Sequence, residues 1–120
     1  KGFPNAFFFG PAQSGFTATY TYSLDEQSVH LAHILTVAGE KGAKRIEASE
    51  IAEKAWVQTI IEKARLTADF QAKCTPGYYN NEGKGNAKPQ NNMYGGGPIE
   101  FFGLMKKWRS KGDLKGLELS

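Results

Sequence analysis

His30 and His33 stand three residues apart, with Glu26 one helical turn before His30. On a helix this spacing puts two imidazoles and a carboxylate on one side. A catalytic zinc needs three protein ligands and an open position, and no third histidine and no cysteine cluster is present. Half-buried histidines with a local hydrogen bond account for the pattern, so no metal is expected. Asp25-Glu26 could act as an acid–base pair. Near a helix start, the same two acids simply complement the dipole. Gly77 and Gly83-Lys84-Gly85 come near a phosphate loop, with one residue too many and no Ser or Thr for Mg²⁺. No G-x-G-x-x-G turn occurs, so no dinucleotide cradle is expected. Cys74 is the single cysteine, which rules out an internal disulfide and fits a reduced thiol.

The chemistry that remains is aromatic. Phe16, Tyr20 and Tyr22 fall in one stretch, and Tyr78, Tyr79, Met93 and Tyr94 in another. Rings with a few hydroxyls and amides suit an apolar small-molecule pocket, and equally suit a core. As pocket lining the expectation names Tyr20, Tyr22, Asn80 and Met93 from these stretches and the loops beside them. No catalytic residue is assigned.

These stretches need elements to hold them. Ala6–Phe9 is an apolar run between Pro4-Asn5 and Gly10-Pro11, the pattern of a strand buried on both faces. Such a strand expects neighbours that 120 residues do not supply, so the chain looks like the end of something larger or a remnant with other cover. Ser23-Leu24-Asp25-Glu26 has the form of a capping box. Leu24, Leu31, Ile34, Leu35 and Ala38 then follow a helical period, and Gly42 is the stop. Arg45–Ala48 is extended. Ser49 caps a second helix, with Ile51, Ala55, Ile61 and Leu66 as a partial stripe thickened by Trp56, Val57, Ile60 and Ala64. Residues 67–73 continue it or start another. Residues 74–92 form a long loop, of the kind that is usually functional or mobile. Gly97-Pro98 opens a last helix with Phe101, Phe102, Met105 and Trp108 on its buried side, Gly112 closes it, and Leu117–Leu119 could be a short strand. The expectation is an α+β chain, mainly helical, with three or four helices and two or three short strands. It forms one domain over 1–120: strand and aromatic loop 1–22, helical part 23–73, Gly/Asn-rich loop 74–97, C-terminal helix and tail 98–120.

Composition is that of a globular protein, 40% hydrophobic and 22% charged with a net charge of +3. Lys106, Lys107, Arg109 and Lys111 sit late in a helix, where they complement its dipole, so no nucleic-acid partner is expected. No apolar run is long enough to span a bilayer and no secretory segment is present, which points to a cytoplasmic protein without a membrane partner.

Gly2-Phe3-Pro4-Asn5, Phe7, Gly10-Pro11 and Gln13–Thr17 together resemble the C-terminal part of flavin-dependent Baeyer–Villiger monooxygenases, especially fungal ones. The likeness continues through Leu24–Gln27, Ile46–Ala48, Ala55–Thr59, Cys74–Gly83, Tyr94–Pro98 and Gly116–Leu119. It implies descent from a flavoprotein with two dinucleotide-binding domains. It also implies that the segments around Gln13, Phe16 and Thr17 and around Tyr78 and Tyr79 approach flavin and substrate, which makes these five candidate lining residues too. Ala18-Thr19 departs from the Pro-Asn expected after Thr17. The family's His/Trp-Pro signature and its active-site arginine are missing.

Three functions follow. The favoured expectation is a stand-alone, flavin-free remnant that binds a terpenoid or polyketide and promotes a non-redox step such as cyclisation or cycloaddition, with no cofactor of its own. The second is the C-terminal piece of a full FAD- and NADPH-dependent oxygenase. The third is a non-catalytic module that forms a homodimer or other oligomer through its N-terminal strand.

Overall fold

The computed structural model describes residues 1–15, 17–64, 73, 76, 77, 82 and 89–120. Among them are three α-helices: α1 (Tyr20–Glu40), α2 (Glu50–Lys63) and α3 (Pro98–Arg109). A 3₁₀ turn covers Pro89–Asn91, and two three-residue strands, β1 (Ile46–Ala48) and β2 (Leu117–Leu119), complete the α+β arrangement. No described helix is long and apolar enough to cross a membrane.

Local signals set most of the helix ends. The Ser49 hydroxyl accepts from the Ala52 N–H at 3.2 Å, and Glu50 and Glu53 lie in the first turn of α2. Gly97 precedes Pro98 at the start of α3, and Lys106, Lys107 and Arg109 fill its last turn. Gly42, at φ +70°, ends α1 in a Schellman turn. Its N–H donates to Gly39 O at 2.9 Å, and that of Ala43 donates to Ala38 O at 3.0 Å.

The start of α1 departs from expectation. The helix begins at Tyr20 after Thr19, so Ser23 lies inside it, 1% exposed. The capping box does not form, because Glu26 is held by side chains of α3 instead. The stripe expected on α2 also shifts. Ile51 is 84% exposed, whereas Ile60 is fully buried, and Ala64 beyond the helix is buried with it.

The strands pair antiparallel, with Ile46 opposite Leu119 and Ala48 opposite Leu117. Backbone bonds extend the pairing on both sides, from Lys44 and Arg45 to Ser120 and from Ser49 to Gly116. Two small cores result. Ile34, Ala38, Ile46 and Leu114 form one, with Trp108 against it. Ile60, Tyr94, Phe101, Phe102 and Met105 form the other, with Trp56 packed on them. Helix α3 contributes to both, so it fixes α1 relative to α2.

The N-terminal run is not the doubly buried strand that its composition suggests. Asn5 anchors it beside β1: its N–H donates to Ile46 O, and its Oδ1 accepts from the Ile46 N–H, both at 2.9 Å. Its Nδ2 donates to Lys44 O at 3.1 Å. Beyond Asn5 no described residue offers a strand ladder to Ala6–Phe9. Phe3 is 77% exposed and Phe8 94%, with Phe7 and Phe9 also facing water.

Candidate functional site: an apolar hollow under the N-terminal run

Phe7, Phe8 and Phe9 form one rim of a hollow of about 960 Å³. Leu31 and Ile34 of α1 line it, with Trp56 of α2 and Phe101, Leu104, Met105 and Trp108 of α3. Leu117 and the turn before it complete the wall. Polar groups are few: Gln13, Ser14, Gln27, His30, Glu53 and Asn91 among them. Ser14 and Gln27 mainly steady the loop above. Gly10 N–H donates to Gln27 Oε1 at 3.1 Å, and the Ser14 hydroxyl donates to Gly10 O at 2.5 Å.

One group of charges stands behind α1. Glu26 receives the Tyr22 hydroxyl at 3.1 Å and pairs with Lys106 at 3.4 Å and Arg109 at 3.6 Å. Burial alone would raise its carboxyl; the Tyr22 hydroxyl, Lys106 and Arg109 outweigh burial and hold it below the usual carboxylate range. Arg109 reaches on to His30 Nδ1 at 3.4 Å. The His30 ring lies 5.0 Å from that of Trp108. Burial, then Arg109 and His33, push His30 down to about 4, so it is neutral at physiological pH. His33 Nε2 is buried without a hydrogen bond, and its ring meets Trp108 edge-on at 6.3 Å.

The residues expected to line a pocket divide. Gln13 does line the hollow. Thr17, Tyr20, Tyr22 and Met93 do not. The Thr17 hydroxyl donates to Thr19 O at 2.7 Å. Tyr22 is taken up by Glu26 and sits edge-on to Phe102 at 5.3 Å, and Tyr20 and Met93 are exposed. Phe16, Tyr78, Tyr79 and Asn80 lie outside the described residues. The two aromatic stretches nonetheless meet at their described ends. Gln13 N–H donates to Asn92 O at 2.9 Å, Gln13 Nε2 to Gln90 O at 2.8 Å, and Tyr94 N–H to Ser14 O at 3.0 Å. Sequence reasoning missed Trp56, Leu104 and His30 as lining. Their spacing is that of ordinary helix faces, and only His30 carried a chemical signal.

Among the described residues no strand runs through a glycine-rich turn into a helix, the usual cradle of a dinucleotide, and the hollow's walls are mainly carbon. No group of three or more potential metal ligands occurs among the described residues.

No family model matches the chain. Individual proteins do. Pentalenolactone D synthase of Streptomyces exfoliatus is 47% identical over 120 residues, covering 99% of this chain and 20% of that protein. A Baeyer–Villiger monooxygenase of Streptomyces coelicolor is 41% identical over 111 residues, covering 92% of this chain and 18% of that protein. The solved structure of a polycyclic ketone monooxygenase from the thermophilic fungus Thermothelomyces thermophila superposes with a TM-score of 0.88 at 30% identity. That match covers 99% of this chain and 20% of that one, at its C-terminal part. The likeness therefore extends to bacterial as well as fungal proteins, and this chain spans about a fifth of the length of the relatives it matches. The chain belongs to the flavin-dependent Baeyer–Villiger monooxygenase family, and the part of that fold it represents is the C-terminal fifth.

Proposed function

We propose that this segment serves a flavin- and NADPH-dependent oxygenase that inserts oxygen beside the carbonyl of an apolar, polycyclic ketone of the terpenoid or polyketide kind. Its contribution is to pack against the nucleotide-binding remainder and to bring the Gln13 loop and the 90–94 segment together. Oxygen activation belongs to the flavin that the remainder holds. The observation that carries this reading is the Phe3 and Phe7–Phe9 face. Four phenylalanines facing water beside an apolar hollow are the surface that such packing would cover. The names of the relatives, a pentalenolactone synthase and a polycyclic ketone monooxygenase, support the substrate class.

The flavin-free reading has one observation in its favour. A hollow of this size falls within the roughly 300–1,000 Å³ of drug-sized ligand sites. Against it stands Phe3, 77% exposed and outside the lining of the hollow, which a small ligand there would leave uncovered. In a homodimer, by contrast, a second copy would cover that ring.

A chimera tests the three together. This chain replaces the C-terminal fifth of the Streptomyces exfoliatus synthase. The expected product is yellow, retains flavin through gel filtration and oxidises NADPH in response to a polycyclic ketone. A soluble chimera that holds no flavin would overturn the proposal, as would the free chain binding flavin stoichiometrically. A free chain that is dimeric, or that binds an apolar ketone tightly without flavin, would favour the corresponding rival.

A further inference from the structure

His30 is the polar group of the hollow whose state the structure fixes from behind. Its Nδ1 faces the Arg109 guanidinium at 3.4 Å. Arginine has donors only, so Nδ1 must be the acceptor and the ring proton must sit on Nε2. Arg109 is itself held by Glu26 at 3.6 Å, and Trp108 flanks the imidazole. His30 lines the hollow, whereas Arg109 does not. The ring therefore turns its engaged edge toward the charge cluster and its other edge toward the hollow.

We infer that Arg109 locks His30 as the neutral Nε2–H tautomer, and that this N–H donates to an uncharged carbonyl of the polypeptide that fills the hollow. The second half rests on the docking proposed above; the first does not. The acceptor must be uncharged or anionic, because a donor is all the ring offers. A backbone carbonyl fits best, since it needs no counter-charge in a hollow lined largely by apolar side chains such as Leu31, Ile34, Trp108 and Met105, with Lys115 the one cation among the described lining residues. The titratable and charged groups near His30 are Glu26 and His33 on α1 and Lys106 and Arg109 on α3. Burial first, then Arg109 and His33, keeps a second proton off the ring. The donor thus persists through mildly acidic pH. His30 is here a positioning residue, with no part in the oxygen chemistry.

Two measurements test this. In the free chain, two-dimensional ¹⁵N NMR of the imidazole should show a protonated Nε2, a bare Nδ1 and no titration between pH 7.5 and 5. Arg109→Met should restore a tautomer mixture and raise the midpoint, which burial, the larger cause, still holds below the ordinary histidine value of about 6.5. A proton on Nδ1, or ordinary titration in the unaltered chain, overturns the lock. In the flavin-loaded chimera, His30→Leu should shorten the half-life of flavin retention in mild urea. The expected factor is about 3- to 10-fold, the range of one neutral hydrogen bond. His30→Gln, which keeps a donor near Nε2, should stay within about twofold. If Leu and Gln behave alike, the acceptor is wrong and the docking stands. If the chimera never loads flavin, the docking and the acceptor fail together, while NMR still decides the tautomer.

Discussion

Phe8→Ala separates a segment that works alone from one that works covered. The ring is 94% exposed, so in the free chain its removal takes away almost no contact. An exposed substitution of this kind shifts stability by no more than about 0.5 kcal/mol. In an assembled oxygenase the same ring would be buried. Transfer of a phenylalanine from water is worth about 1.5–3 kcal/mol, and with the cavity left behind Phe→Ala costs about 3–5 kcal/mol. The two contexts should therefore differ by about 3 kcal/mol or more, a large share of the roughly 5–15 kcal/mol that holds a domain together. Urea titration followed by circular dichroism reads the free chain. Flavin retention and thermal unfolding read the chimera. The reasoning fails if Phe8→Ala costs the free chain more than about 1 kcal/mol, since the ring would then already have a partner. It fails equally if the chimera is indifferent. Phe8→Lys adds a control. A free chain that passes from dimer to monomer on this change has a second copy as its occupant.

Gly95→Ala should destabilise the free chain by about 1–3 kcal/mol in urea titration. A Cβ there would stand 2.1 Å from the Lys63 carbonyl oxygen, a backbone atom at the end of α2 that cannot swing aside. Asn5→Ala should cost about 1–3 kcal/mol and raise protease cleavage within residues 1–9, because it strips partners from the Ile46 N–H and the Lys44 carbonyl. Acid should weaken the chain in two stages, seen as falling urea midpoints. The His30 value is depressed to about 4, so the unfolded chain takes the proton first, and its contribution, full above about 6.5, drains away as pH falls toward 4. His30→Gln should flatten that stage. Glu26, also depressed, loses its contribution at lower pH still, on passing through its folded value.

The helix ends legible in the sequence are those whose signals lie within a few residues of one another. Ser49, Gly42, Gly97-Pro98 and Gly112 each act on the adjoining turn, and each does so in the structure. The capping box at Ser23 met a competitor that local pattern cannot show. Lys106 and Arg109, eighty residues away, hold Glu26, and α1 runs on to Tyr20. From residue chemistry alone, the site was legible only where polarity was unusual. Gln13, which lines the hollow, was named through the family resemblance and not through its polarity, whereas His30 and Glu26 were noticed as a pair one turn apart, although Arg109 links them only in three dimensions. Trp56, Leu104 and Trp108 are indistinguishable in sequence from core residues. The same physical property, a large apolar surface on a helix, serves both ends.

Ala6–Phe9 carries the strongest strand composition in the chain, yet no described residue pairs with it as a strand. That conflict is informative because the hydrogen-bonding devices around it are otherwise met. Asn5 imitates a strand neighbour for Ile46, α1 closes in a complete Schellman turn, and β1 and β2 satisfy each other. What goes unmet is apolar burial along one side, at Phe3 and Phe7–Phe9. A contiguous apolar face left open beside paired backbone groups is consistent with a cover supplied from outside the described residues. Substitutions facing the hollow should then act on catalysis through the fit of this face to its cover. They would shift flavin retention and ketone selectivity together, with no catalytic group of this segment removed.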